Sequence, residues 1–297
     1  MNVNKLPLLR AIFRYFGNAS TTTRLRWGAL LGWLARKLLL SRVNIVRVNL
    51  QLCFPEHTQQ QRDAWLREHF HLLGQSVVDR GLCWFGPPEA ITRTINLNGF
   101  EHIQALLDAK RPIILLAPHF IGLDAAATRI TLAVEEIGTI YTRQSDADVD
   151  RMMQEGRSRF SNVHLIGRHE GVRRMIRLLR NGVPIYYLPD MDFGRSDGTI
   201  FSPFFNVPAA TLLATAQIAR SCKAAVVPIV TNLDIKTGHY STQVLAPIDD
   251  FPGEGSLEAA TDRLNKLIED WVRVDPPQYY WVHRRFKTRP LGEKKFY

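Results

Sequence analysis

From about residue 96 onward, short apolar runs alternate with stretches of helical period, and this alternation restricts the possible folds more than any other feature of the chain. The runs at 112–117, 138–142, 163–166, 183–188, 225–230, 242–245 and 278–282 read as strands. The stretches 99–108, 123 onward, 148–159, 171–180, 209–220 and 257–274 read as helices. Strands separated by helices pair in parallel through crossover connections. The expected fold is therefore α/β, with a mostly parallel central sheet flanked by helices on both faces. Functional groups in such a sheet collect at strand ends. Ahead of this region, residues 58–82 form a helix that Gly86-Pro87-Pro88 ends. A chain of 297 residues buries a sizeable core, and 45 % hydrophobic residues exclude disorder.

Just past the run at 112–117 comes Ala117-Pro118-His119-Phe120-Ile121-Gly122-Leu123-Asp124. A neutral imidazole can take the proton from an alcohol as its oxygen attacks a thioester carbonyl, and a carboxylate on the other ring nitrogen fixes the tautomer. Pro118 disfavours helix at Ala117 and Gly122 permits a tight turn, so a helix begins near Leu123 and His119 and Asp124 can meet. The spacing alone is weak, because nine histidines offer many chances for an acid at one fixed offset. A structural histidine with Asp124 capping a helix is the plain alternative.

Two further clusters carry chemistry. After the run at 183–188 comes Pro189-Asp190-Met191-Asp192-Phe193-Gly194, where Asp190 and Asp192 share one side of an extended backbone. They could bind a divalent ion, orient arginines and substrate hydroxyls, or serve as turn residues. The carboxyl end interleaves aromatics with His283, Arg284, Arg285, Lys287 and Arg289, a pattern that grips phosphates or nucleic acid, or forms a solvated tail. Arg157 and the Arg173, Arg177 and Arg180 stripe add anion-binding capacity, although such a stripe is commonly the wet face of a helix.

Charge is unevenly spread. The formal net charge is +10, and residues 1–50 hold nine basic side chains from Lys5 to Arg47 and no acid. Leu9, Ile12, Phe13 and Phe16 fall on one helical face with Arg10 and Arg14 off it, as in an interfacial anchor. The run at 27–40, broken by Arg36 and Lys37, is too short to cross a bilayer and is expected to lie on a membrane. A core helix pair with basic rims, or a nucleic-acid-binding arm, are the alternatives. A secretory signal is not expected, because no small-residue cleavage site follows. Cys53, Cys83 and Cys222 lack metal-site spacing and read as reduced core thiols.

Taken in order, Asn49-Leu-Gln-Leu-Cys-Phe-Pro-Glu56, His119-x4-Asp124, Gly156-Arg157, Leu188-Pro-Asp-Met-Asp-Phe-Gly194, Pro203-Phe-Phe, Ala209-Ala-Thr211 and Tyr280 to Pro290 resemble the lipid A biosynthesis (late) acyltransferase family of Gram-negative bacteria. The resemblance implies a glycerolipid-acyltransferase-like fold and transfer of a fatty acyl chain from acyl carrier protein to a hydroxyl of a lipid A precursor, without a cofactor or metal. Residues 1–47 would be a basic membrane-associating helical region and 48–297 the catalytic domain. His119 would be the base and Asp124 its partner, and Arg157 would stabilise charge on the carbonyl or hold substrate. Asp190, Asp192, His283, Arg284, Arg285 and Lys287 would contact substrate. The expected place is the cytoplasmic face of the inner membrane, peripheral or monotopic, with no nucleic-acid partner. The chain departs from relatives that carry a longer membrane helix, and residues 141–148 lack the Asn-Pro found in several of them. A lysophospholipid or other membrane-lipid acceptor is the nearest alternative. A metal-dependent glycosyltransferase using Asp190 and Asp192, or a non-catalytic lipid-binding protein, lies further off.

Overall fold

The computed structural model describes residues 6–167 and 171–297, so Lys5 lies outside it. Helix α1 (Leu6–Asn18) is followed at once by α2 (Thr21–Leu38), which Ser20 starts by accepting the Thr23 amide on its hydroxyl. After Leu39 comes α3 (Leu40–Cys53), and Thr58 caps α4 (Gln59–Phe85) through the Gln61 amide. Gly86 ends α4 as expected. Both α1 and α2 lie along α4. The approach is close because Gly28 and Gly32 of α2 face Gly74 of α4, where a Cβ would run into the Gly28 carbonyl and the Gly32 backbone.

This packing changes the reading of the basic segment. Arg24 is buried and donates from Nε to Asp79 Oδ1 at 2.8 Å; Asp79 also accepts from Gln75 at 2.8 Å and from the Tyr240 hydroxyl at 2.9 Å. Most of the face expected to meet a membrane is turned inward: Phe16 is buried, Leu9 and Phe13 pack on the core, and the Phe13 and Trp84 rings stand 5.3 Å apart. A helix laid on a longer neighbour must bury its best apolar stripe there. What remains outside is Leu8, Ile12 and Tyr15 together with Trp27, Leu30, Trp33 and the turn Leu38-Leu39-Leu40. Among the described residues no helix is long and apolar enough to cross a membrane.

The rest of the chain alternates as expected: α5 (Pro88–Thr94), β1 (Ile95–Asn98), α6 (Glu101–Asp108), β2 (Ile113–Leu116), α7 (Leu123–Thr131), β3 (Glu136–Tyr141), α8 (Ala147–Arg157), β4 (Asn162–Gly167), α9 (Gly171–Arg180) and β5 (Ile185–Tyr187). Then come β6 (Thr199–Phe204), β7 (Val207–Leu212), α10 (Ala214–Cys222), β8 (Ala225–Asp234), β9 (His239–Val244) and α11 (Leu257–Val274). Seven strands form one sheet in the order β1-β9-β8-β2-β5-β3-β4, and every adjacent pair is parallel except β8 with β9. All four residues of β2 are buried, as a strand covered on both faces requires. Ile113 and Leu115 pack towards α6 and α7, while Ile114 and Leu116 pack towards α9, α10 and α11.

Two expected elements are corrected. The helix expected over 209–220 begins only at Ala214, because Val207–Leu212 pairs antiparallel with Thr199–Phe204. Phe205 and Asn206, with φ of 52° and 59°, make the two-residue turn that closes this hairpin. The strand expected over 278–282 is instead a short 3-10 turn, Pro276–Gln278, and an irregular segment with a single bridge from Tyr279 to Phe120. The amides of Gln278, Tyr279 and Trp281 turn back onto the nearby carbonyls of Asp275, Pro276 and Tyr279, so they are not available to a ladder.

His69 joins α4 to that turn: its Nδ1 lies 2.9 Å from the Pro277 carbonyl, so Nδ1 carries the proton of a neutral ring. Complete burial pushes the imidazole down to about 4, against the opposing effect of the carbonyl. Its ordinary value in the unfolded chain is higher, so the unfolded state binds the proton first as pH falls. Stability is then lost progressively between about pH 6.5 and pH 4, by about 3 kcal/mol from this residue. Urea unfolding across that window should show a shallower loss in His69→Gln than in the wild type; equal slopes would contradict the assignment.

Candidate active site

Two neighbouring strands deliver the central pair of side chains. β2 and β5 run parallel with Leu116 opposite Tyr187. Each continues three residues through a proline, as Ala117-Pro118-His119 and Leu188-Pro189-Asp190. Equal offsets from paired residues bring His119 and Asp190 side by side at the carboxyl ends of the strands. Asp190 Oδ1 lies 2.7 Å from His119 Nδ1, while Oδ2 accepts the His119 backbone N–H at 2.9 Å and the Tyr279 hydroxyl at 2.7 Å. Burial alone would raise the Asp190 carboxyl; the imidazole, the His119 amide and Tyr279 outweigh it and hold the group down to about 2. Facing an ionised carboxylate, Nδ1 carries the proton and Nε2 is left as the basic nitrogen.

The carboxylate on the His119 ring is thus Asp190, and the expected His119–Asp124 pair is corrected. Asp124 stands in the first turn of α7 and is the counter-ion of two arginines. Its Oδ1 accepts from Arg157 Nη2 at 2.6 Å and Nε at 3.2 Å, and its Oδ2 accepts from Arg80 Nε at 3.2 Å. Guanidinium groups from α8 and α4 are stronger partners for it than a neutral ring already held by Asp190. Burial again pushes the carboxyl up, and Arg157 followed by Arg80 brings it down to about 2. Arg157 ends α8, and the preceding Gly156 allows that helix to rest on Trp84, where any Cβ would strike the indole. Its guanidinium also lies 5.9 Å from the centre of the Tyr141 ring.

His119 sits where cavities meet. One of about 420 Å³ is lined by His119, Asp124, Arg157, Arg80 and Tyr280 among others. A second, of about 330 Å³, is walled mainly by apolar groups and shares His119, Ile140, Leu188 and Met191 with the first. A third, of about 410 Å³, runs from Leu39 and Phe70 to His283 and shares Met191 and Tyr280 with the first.

The carboxyl-terminal cluster mostly fixes structure. Arg285 is buried, donates to the Ala210 carbonyl at 2.8 Å and to Thr211 Oγ1 at 2.9 Å, and stacks on Phe204, which removes it from the expected anion grip. Arg284 is exposed beside Tyr297, and exposed Lys287 donates to the Asp192 carbonyl at 3.3 Å. Asp192 accepts from the Gly194 amide and from both the amide and hydroxyl of Thr288, and its own amide donates to His283 Nε2 at 3.0 Å. Burial, then the neighbouring Arg285 and His119, push His283 down to about 4, so it is a neutral acceptor there. The oxygens of Asp190 and Asp192 are therefore engaged within the protein. Among the described residues no group of three or more His, Cys, Asp or Glu is placed to hold a metal ion. The segment also clamps the His119 loop through its backbone: the Tyr280 amide donates to the His119 carbonyl at 2.8 Å and the Ile121 amide to the Gln278 carbonyl at 2.7 Å.

Sequence reasoning missed Tyr279 and Arg80. A readable sign of Arg80 is the ionisable pair Asp79-Arg80 in an otherwise apolar stretch of α4, and a sign of the Asp190 role is the matching proline before it and before His119. Nothing local marks Tyr279, because its partner is 89 residues away.

A family model described as bacterial lipid A biosynthesis acyltransferase matches residues 11–288. The chain is 34% identical over 268 residues to the lipid A biosynthesis lauroyltransferase of Escherichia coli (strain K12), covering 90% of this chain and 86% of that protein. It is 31% identical over 271 residues to the palmitoleoyltransferase of the same organism, covering 91% and 87%, and 31% identical over 265 residues to its myristoyltransferase, covering 89% and 81%.

Replacing Asp124 by Asn leaves two guanidinium groups without their shared counter-charge. Because both arginines keep part of their exposure, the cost should fall near the lower end for broken buried pairs, about 3 kcal/mol. Urea unfolding at pH 7 reads it; an Asp124→Asn protein as stable as wild type would show that the arginines do not depend on Asp124.

Proposed function

The chain belongs to the bacterial lipid A biosynthesis acyltransferase family, and from that premise we propose that it moves a fatty acyl chain from the thioester of acyl carrier protein to a hydroxyl of a lipid A precursor, with His119 as general base. The observation that carries the reading is the Asp190 carboxylate on His119 Nδ1. It fixes the tautomer whose Nε2 can take the hydroxyl proton and steadies the imidazolium that results. As the proton leaves, the acceptor oxygen bonds to the thioester carbon and the carbonyl electrons move to oxygen. Arg157 and Arg80 share the single carboxylate of Asp124 and so leave one net positive charge beside the cavity. Such fixed charge favours the developing oxyanion. Collapse breaks the carbon–sulfur bond, and the imidazolium returns its proton to the departing sulfur. No cofactor or metal takes part in these steps.

The outer stripe of Leu8, Ile12, Trp27, Trp33 and Leu38 to Leu40, set among arginines, supports peripheral or monotopic association with an anionic membrane. For a lipid A precursor that membrane is the bacterial inner membrane at its cytoplasmic face.

The test is transfer of lauroyl, myristoyl and palmitoleoyl groups from acyl carrier protein to a lipid A precursor in detergent, with chelator present and a lysophospholipid acceptor in parallel. Wild type should transfer to the lipid A precursor. His119→Ala and Asp190→Asn should each lower kcat by about 10²- to 10⁴-fold while remaining folded. Undiminished turnover in either variant would contradict the mechanism, and transfer only to the lysophospholipid would contradict the acceptor.

A further inference from the structure

Helix α9 has two unlike sides. Val172 and Met175 wall the 330 Å³ cavity together with Ile166, Leu188 and Phe193, and that cavity reaches His119. Val172 is 42% exposed and Phe193 38% exposed, so these two lining residues stand at the cavity mouth. The helix carries four arginines and no acid. Arg173, Arg177 and Arg180 follow one another at spacings of four and three on an exposed face. One short helix therefore joins a cationic outer surface to an apolar channel that ends at the candidate base.

We propose that α9 is the docking surface for the acyl carrier protein, with the acidic carrier seated on Arg173 and Arg177 and the donor chain passing Val172 and Phe193 into the cavity beside His119. This rests on the acyl-carrier reading given above. The charge on α9 calls for an anionic occupant, and the scarcity of exposed apolar groups beside it selects an acidic protein over a bilayer. The exposed apolar residues that a bilayer takes up, Trp27, Trp33 and Leu38 to Leu40, belong to α2, α3 and the turn between them, beside α4, whereas α9 packs on β4, β5 and α10. The only large hydrophobic group that stands well exposed on α9 is Val172, among the described residues. The 410 Å³ cavity lies beside the exposed Leu39 and so serves the lipid acceptor, leaving the α9 cavity for the donor. Separate entrances suit a reaction whose two substrates come from water and from a membrane.

The experiment compares wild type with the double variant Arg173→Glu, Arg177→Glu, using lauroyl acyl carrier protein and, separately, S-lauroyl pantetheine, an uncharged thioester with the same chain. The KM for the carrier donor should rise roughly tenfold or more in the variant. Kinetics with the pantetheine donor, and the KM for the acceptor, should stay within about twofold, which also shows that the variant is folded. Added salt should raise the carrier KM of wild type and change that of the variant much less. A carrier KM indifferent to charge reversal overturns the docking assignment while leaving the acyl-carrier reading intact. Equal loss with both donors, or a raised KM for the anionic acceptor, also overturns it, because the arginines then serve the fold or the lipid. A wild type that uses pantetheine but not the carrier overturns the acyl-carrier reading itself.

Discussion

A carboxylate sealed inside a protein needs donors for both oxygens, and Asp190 takes two of its three from one residue. The backbone N–H and the ring Nδ1 of His119 each meet a different oxygen of Asp190, and Tyr279 completes the set. Gripping a side chain together with its own main chain locks the ring to the loop that carries it. The same loop is held from the other side by the Tyr280 amide on the His119 carbonyl. His119 thus sits between the end of a central strand and the carboxyl-terminal segment. The aromatic core beneath that segment, with Trp281, Phe204 and Phe286 fully buried, supports both.

Asp124 and Asp190 are both held far towards the charged form, by different neighbours and for different purposes. Asp190 faces an imidazole and sets which nitrogen is basic; Asp124 faces two guanidinium groups and sets where they stand. The two carboxylates are chemically alike and differ in position: Asp190 stands beside the His119 ring, and Asp124 stands between Arg157 and Arg80. The amino-terminal helices serve the same arrangement at a distance. Asp79 binds Arg24 of α2 and Tyr240 of β9, and the next residue, Arg80, reaches Asp124. One turn of α4 therefore couples the seating of α2 to the charge beside the cavity.

Much of this was legible in the chain. The parallel sheet, the helix beginning at Leu123 and the placing of His119 at a strand end follow from local periodicity and from Pro118 and Gly122, all of which act over a few residues. The partner of His119 was not legible, because the choice between Asp124 and Asp190 depends on which strand lies beside β2, a long-range fact. The misread helix at 209 illustrates the same limit: Ala209 and Ala210 favour helix locally, but pairing with Ser202 and Phe201 overrides that preference. Arg285 and Arg24 looked like surface cations by type. The burial of Arg285 depends on the Ala210 carbonyl and that of Arg24 on Asp79, each brought from a distant segment.

Asp190, and not Asp124, faces His119 Nδ1 and so should set the tautomer of the ring. The most direct test is the nitrogen chemical shift of the His119 ring in protein labelled with ¹⁵N-histidine, for wild type, Asp190→Asn and Asp124→Asn, near neutral pH. A proton on Nδ1 and a bare Nε2 are expected in wild type and in Asp124→Asn, with that preference lost in Asp190→Asn. An unchanged tautomer in Asp190→Asn together with an altered one in Asp124→Asn would contradict this role of Asp190.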